Sequence, residues 1–195
     1  MKHMLIAQSG GPSAAINATV AGVVERCMTS GQVGRIYGAR NGIKGVIDGN
    51  YIDLTEELAS PERLELLCHT PAAALGSCRL KLNNADEEQL GQIVQALLER
   101  EIGYFVYIGG NDSMDTVHKL SDYIRKYNIQ GLSVMGAPKT IDNDLPVTDH
   151  CPGFGSAAKY IAATFSEIVR DCEVYDIPAV TIVEVMGRNA GWLTA

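Results

Sequence analysis

A chain of 195 residues with 16 basic and 23 acidic side chains carries a formal charge of −7, and no stretch concentrates lysine and arginine. That balance makes nucleic acid and anionic membrane poor partners, leaving room for a small anion held by a few arginines and backbone N–H groups. With 46% hydrophobic and 20% charged residues, the composition is that of one ordinary globular domain, or of one domain with part of another.

Five cysteines (Cys27, Cys68, Cys78, Cys151 and Cys172) are scattered, odd in number and never in a C-x-x-C arrangement. This argues against a disulfide framework or a zinc site and for a reducing, cytoplasmic setting. The apolar run before Gln8 is too short for a signal peptide or a membrane span. The four histidines (His3, His69, His118 and His150) show no ligand spacing.

Along the chain, short apolar runs alternate with longer amphipathic stretches, the pattern of β-α-β units. A first strand is expected at 5–8, then the turn Ser9-Gly10-Gly11-Pro12-Ser13 and a helix over 14–29. A strand at 36–38 and a hairpin around Asp48-Gly49-Asn50 follow. A second helix is expected over 86–100: Asp86-Glu87-Glu88 suits the positive helix end, and Leu90, Ile93, Val94, Leu97 and Leu98 recur at helical spacing. A buried strand at 104–108 leads into Gly109-Gly110-Asn111-Asp112-Ser113 and a helix to about 127. Another strand at 132–136 enters Pro138-Lys139-Thr140-Ile141-Asp142-Asn143-Asp144. A long helix from Gly153-Phe154-Gly155-Ser156 to 172 precedes a strand at 180–185 that ends in Met186-Gly187-Arg188. The last residues, Trp192-Leu193-Thr194-Ala195, read as the first turn of a helix with no stop signal, which suggests a fragment of a longer protein.

The resulting expectation is an α/β fold: a three-layer, Rossmann-like, mostly parallel sheet flanked by helices, with the start of a second α/β domain. The division expected is 1–152 for the first domain and 153–195 for the beginning of the second, truncated one. Four loops (9–13, 109–113, 138–144 and 186–188) each follow the carboxyl end of an expected strand. In an open α/β sheet those ends share the edge where ligands bind.

Each loop has a chemical and a plain reading. Ser9-Gly10-Gly11 offers backbone N–H groups at a helix start, a phosphate cradle, or is simply a tight strand-to-helix turn; it fits neither G-x-G-x-x-G nor the P-loop pattern. In Gly109 to Ser113, Asn111 and Asp112 suit a metal, yet Asp and Ser are also common helix caps. Two carboxylates, a lysine, a threonine and an asparagine within 138–144 are harder to explain as a turn. One Asp can take a proton from an attacking hydroxyl, the second can hold Mg²⁺, and lysine can neutralise charge on a transferred phosphoryl group. Arg79, in Leu75-Gly76-Ser77-Cys78-Arg79, and Arg188 follow small residues and can fork onto phosphate oxygens, although a lone arginine is usually a solvated surface residue.

In this order and over essentially the whole chain, these segments resemble the phosphofructokinase family. The matching stretches are Ser9-Gly10-Gly11 with Asn17-Ala18, Leu75 to Arg79, Gly109 to Ser113, Thr140-Ile141-Asp142-Asn143-Asp144 and Val183-Glu184-Val185-Met186-Gly187-Arg188. The two-glycine segment alone also resembles NAD kinases and lipid kinases. The resemblance implies a phosphotransferase of glycolysis or its reverse, acting on fructose 6-phosphate with Mg²⁺ as cofactor and built as a homo-oligomer. ATP-using members have glycine where this chain has Asp112 and Lys139. Pyrophosphate-using members have Asp and Lys there, so the donor implied is pyrophosphate.

By position, the resemblance makes Asp142 the general base for the 1-hydroxyl, with Asp144, Lys139 and Arg188 completing the catalytic set. Gly10, Gly11, Arg79, Gly110, Asp112 and Lys139 would hold the donor. Thr140, Ile141, Asp142, Met186, Gly187 and Arg188 would meet the sugar phosphate, and Asn111, Asp112 and Asp144 the metal. Two departures stand out. The family's magnesium-binding Asp is Asn111 here, and an arginine that many ATP-using members reach into a neighbouring subunit is Ala179. Family members are about twice this length, so the parent is expected to be the enzyme and the chain itself weak or inactive. Apolar surface is then expected around Tyr160, Ile161, Phe165 and Ile168. The alternatives are an ATP-dependent 6-phosphofructokinase and a non-catalytic regulatory subunit or module of the same fold.

Overall fold

The computed structural model describes residues 1–80, 82 and 87–195. Asp86, the expected start of the second helix, lies outside them. The chain folds as two compact units, Met1–Lys139 and Thr140–Ala195.

In the first unit, β1 (His3–Gln8), β2 (Ile36–Ala39), β3 (Tyr51–Asp53), β4 (Ile102–Gly109) and β5 (Ser133–Pro138) form one sheet in the order β3-β2-β1-β4-β5. β1 pairs in parallel with β2 and β4, and β4 with β5; only β3, beside β2, is antiparallel. The chain leaves β1 for one side of the sheet and returns on the other, so a topological switch point lies between β1 and β4.

The helices are α1 (Ala14–Ser30), α2 (Gly42–Asp48), α3 (Leu54–Glu57), α4 (Pro61–His69), α5 (Glu87–Glu99) and α6 (Asn111–Lys126). Strand side chains alternate between two cores. Met4, Ile6, Val106 and Ile108 pack with Ile16, Val20 and Val24 of α1 and Leu54 of α3, with Leu64 and Leu67 of α4 at the margin. Leu5, Ala7, Phe105 and Tyr107 pack with Ile43 and Val46 of α2, Ile93 and Leu97 of α5 and Leu120 of α6. This period of two across a doubly covered sheet is the three-layer arrangement expected.

Two expectations are corrected in the first unit. The turn at Asp48-Gly49-Asn50 does not close a hairpin directly. It ends α2, where the Gly49 N–H, with Gly49 at φ 66°, bonds back to Gly45 and Val46 carbonyls, and it leads into β3. The loop at 109–113 is shorter than expected, because Asn111 already opens α6 with Gly110 as its N-cap. The first compact unit ends at Lys139, where β5 is in register with β4 up to Pro138 and the Lys139 N–H still bonds the Gly109 carbonyl at 2.9 Å.

The second unit holds α7 (Phe154–Cys172), whose N-cap Gly153 has φ 100°. The expected strand at 180–185 does not form. The stretch carries no strand pairing, and Val180 and Ile182 are each 90% exposed. A β-strand exists only as a member of a sheet, and no neighbouring strand stands beside this one among the described residues. The turn expected at the chain's end is present: the Thr194 and Ala195 N–H groups both bond the Gly191 carbonyl at 3.1 Å. Tyr160, at 71%, and Phe165 are exposed as expected, while Ile161 and Ile168 are half-buried.

Candidate active site

In the first unit three strand ends bring their loops together. Ser9 continues the β1 to β4 ladder, its N–H bonding the Ile108 carbonyl at 2.9 Å. Gly10 then turns at φ 80°, a left-handed conformation that a Cβ disfavours. A Cβ there would lie 3.4 Å from the Gly110 nitrogen and 3.5 Å from Lys139 Nζ, so this turn, the start of α6 and the end of β5 share one small space. Gly109 is required for a second reason: a Cβ on it would stand 2.1 Å from Ser113 Oγ and 3.0 Å from the Ser9 carbonyl oxygen. Both glycines are what allow β1 and β4 to end side by side.

Lys139 is the charged centre of this group. It is buried, and its ammonium donates to the Gly11 carbonyl. Burying an ammonium is costly unless it is hydrogen-bonded or faces an anion. Asn111 and Asp112, the first two residues of α6, follow directly after Gly110 and are exposed. They add two oxygen groups at the positive end of the helix.

A third wall comes from the segment after α4, which forms neither helix nor strand over 70–80. Ser77 Oγ donates to the Gly10 carbonyl at 3.0 Å, and Ser9 Oγ donates to the Cys78 carbonyl at 3.3 Å. Arg79 follows at once and its side chain is exposed. Beneath these loops lies the Tyr107 phenol. Burial pushes its hydroxyl up to about 12, an effect that hydrogen bonds from Ser9, the Ile43 backbone and Ser113 only partly offset.

The second unit holds the remaining expected residues. Thr140 is buried, bridged to Gly153, and its N–H bonds the Pro152 carbonyl at 3.2 Å. Its Oγ1 accepts the Asp142 N–H at 3.0 Å. Ile141 and Asp142 are half-buried and Asp144 is exposed. Asn143, at φ 54°, is a clamp: Oδ1 accepts the Cys151 N–H at 2.8 Å and Nδ2 donates to the Asp149 carbonyl at 3.1 Å. Met186 and Arg188 are exposed in an irregular stretch, with Arg188 at φ 32° and a turn closed by the Ala190 N–H on the Gly187 carbonyl.

The structure therefore gathers Gly10, Gly11, Gly110 and Lys139 at one edge, places Asn111 and Asp112 beside them, and puts Arg79 on an adjoining segment. Among the described residues no cluster of three His, Cys, Asp or Glu side chains forms a metal cage. Two neighbouring oxygen groups at Asn111 and Asp112 do suit Mg²⁺, which binds through one or two protein ligands plus substrate phosphate and water. Sequence reasoning missed Gln8, Ser77 and Tyr107, and read Asn143 only as a member of a polar cluster.

A family model described as phosphofructokinase matches residues 3–195. The chain is 45% identical over 192 residues to a pyrophosphate–fructose 6-phosphate 1-phosphotransferase of Rhodospirillum rubrum, covering 98% of this chain and 46% of that protein. It is 42% identical over 201 residues to the enzyme of the same name from Methylococcus capsulatus, covering 100% of this chain and 47% of that one. A crystal structure of pyrophosphate-dependent phosphofructokinase from Nitrosospira multiformis superposes with a TM-score of 0.87 at 42% identity, over 98% of this chain and 48% of that one. The chain thus spans about half the length of the relatives it matches. The match runs through every loop described above, and the chain belongs to the phosphofructokinase family.

Proposed function

We propose that the parent of this chain transfers a phosphoryl group reversibly from pyrophosphate to the 1-hydroxyl of fructose 6-phosphate. The observation that carries this reading is the buried Lys139, whose ammonium sits at the Gly10-Gly11 turn beside the start of α6. A fixed cation among backbone N–H groups and a helix N-terminus matches a small, highly charged donor. Asp112 adds a carboxylate at the same edge, which disfavours a further nucleotide phosphate and so selects against ATP. Two relatives above 40% identity carry the name of that activity.

The roles follow. Gly10, Gly11, Gly110, Arg79 and Lys139 hold the donor, with Asp112 limiting its size. Asp142 takes the proton of the attacking hydroxyl, and Asp144 orients that base or supports the metal. Thr140, Ile141, Met186, Gly187 and Arg188 meet the sugar phosphate. Asn111, Asp112 and Asp144 are the groups that would hold Mg²⁺, which when bound neutralises charge on the phosphate oxygens. Residues 1–152 supply the donor side and 153–195 begin the sugar-phosphate side of an enzyme that works in the cytoplasm as a homo-oligomer.

The test is a donor assay on the full-length parent. Turnover of fructose 6-phosphate with pyrophosphate, and little with ATP, is expected. Asp112→Gly with Lys139→Gly should shift the preference toward ATP. A wild type that prefers ATP overturns the donor assignment, and one inactive with both donors points to the non-catalytic alternative.

A further inference from the structure

We infer that Gln8 and Asn17, two buried amides outside the catalytic set, are the positioning residues of the donor site. They fix the path of the segment that carries Ser77 and Arg79. The inference rests on the donor reading above and adds to it a pair of residues that touch no substrate.

Gln8 ends β1 and Asn17 lies in the first turns of α1, and both are fully buried. Every polar atom of the pair is used. Gln8 Nε2 donates to Asn17 Oδ1 at 2.9 Å and to the Ile16 carbonyl at 3.1 Å. Gln8 Oε1 accepts the Leu75 N–H at 2.8 Å, and Asn17 Oδ1 accepts the Ala74 N–H at 2.9 Å. Asn17 Nδ2 donates to the Thr70 carbonyl at 2.8 Å. Three of these five bonds therefore go to the backbone of 70–75.

Besides these bonds, that backbone is held by the buried Leu75 side chain and by the Leu75 carbonyl, which accepts the Asn41 N–H at 2.7 Å. It lies outside any helix or strand, and Ala72 sits at φ 66°. A residue with a Cβ persists in the left-handed region only where its surroundings impose it. Two residues past Leu75, Ser77 and Cys78 are laced to Gly10 and Ser9, and Arg79 comes next. The amide pair thus sets the starting point of a short strap whose far end forms one wall of the donor site. The Gln8 side chain connects that strap to the very strand that ends in Ser9-Gly10-Gly11. A buried amide pair with every donor and acceptor matched is also directional: exchanging one N–H for an oxygen puts two lone pairs face to face.

The experiment compares the full-length parent with its Gln8→Met and Asn17→Asp variants in steady-state assays, varying pyrophosphate and fructose 6-phosphate separately. Gln8→Met should raise KM for pyrophosphate about ten-fold or more, because a buried N–H left unpaired loosens the strap. KM for fructose 6-phosphate should stay within about two-fold. Asn17→Asp sets a buried carboxylate oxygen against the Thr70 carbonyl in place of the N–H that bonds it, and should raise KM for pyrophosphate at least as much as Gln8→Met. Both KM values moving together, or an unchanged pyrophosphate KM in a folded variant, overturns the inference.

Should either variant fail to fold, amide exchange on the wild type decides. The Ala74 and Leu75 amides should be protected without ligand and exchange more slowly still with inorganic pyrophosphate. Exchange at open-loop rates, indifferent to pyrophosphate, overturns the proposal. The wild-type arm separately tests the donor reading: turnover with ATP alone refutes pyrophosphate as donor, and the KM split is then read on ATP.

Discussion

Asp142 is set by its neighbours rather than by its own contacts. Its N–H is held by Thr140 Oγ1, and the Asn143 side chain ties the following loop to Cys151 and Asp149. Asn143 also takes the left-handed backbone that asparagine tolerates better than most residues. Asp142→Asn keeps the shape and all of these bonds while removing the proton acceptor. In the full-length parent it should therefore lower kcat by about 10²–10⁴, the usual worth of a positioned general base. Thermal stability should not change. A loss below ten-fold would remove Asp142 from the base role. Tyr107 gives a residue-scale prediction about stability. Its phenol ionises near about 12 in the folded chain but near 10 once unfolded. Between those values ionisation favours the unfolded chain, so the stability supplied by the buried neutral phenol is complete below about pH 10 and is lost as pH rises through about 12. The displacement corresponds to roughly 3 kcal/mol at ~1.4 kcal/mol per pH unit. Tyr107→Phe has no proton to lose there. Its urea-unfolding free energy should decline less steeply than the wild type's above about pH 10, and parallel declines would show that this phenol is not the titrating group.

At the scale of elements, the sequence foretells most of what builds the edge where Gly10, Gly110 and Lys139 meet. β1, α1, β4, α6, β5 and α7 stand within a few residues of their expected bounds. Their apolar runs are long, and glycine marks where β1 and β4 must turn into helices. Gly10 and Gly109 are legible because each answers a local demand, one for a positive φ and the other for close backbone approach. What escapes is whatever depends on a distant partner. Gln8 reads as the last residue of a strand, but its acceptor oxygen serves Leu75, 67 positions away, and Asn17 serves Thr70, 53 positions away. The Asp48-Gly49-Asn50 signal is a true turn. It closes a helix because Ile43 and Val46 find the core on the α5 side of the sheet, which no local pattern reveals. Lys139 is legible as chemistry and not as a buried group, since its burial requires the ends of β1, β4 and β5 to lie side by side. The stretch 180–185 fails for the opposite reason. Its residues suit a strand, and strand propensity acts only when a ladder is available to join.

At the scale of the molecule, the two units differ in how completely they satisfy themselves. Met1–Lys139 has a core on each face of its sheet, with Leu5, Ile6, Ile16, Ile93, Phe105 and Ile108 wholly out of water. In Thr140–Ala195 no residue of α7 is buried, and Tyr175, Ile177, Val180 and Ile182 are all more than two-thirds exposed. Covering one such side chain is worth about 1.5–3 kcal/mol, so leaving several exposed is a substantial loss of stability for a unit this small. Relatives about twice as long have further chain with which to offset it. The expectation is that in a full-length parent residues 180–185 join a ladder and the exposed face of α7 is covered. Amide exchange followed by mass spectrometry tests this directly. In the 195-residue chain, peptides spanning 174–186 should exchange at nearly open-chain rates while those from β1 and β4 stay protected. In the full-length parent the 174–186 peptides should slow by about 100-fold or more, the protection of roughly 3 kcal/mol of local stability. Equal exchange in the two chains would mean that this stretch is a loop in the intact protein as well. Met186, Gly187 and Arg188 would then follow a loop there too, as they do in this chain, with no strand beneath them.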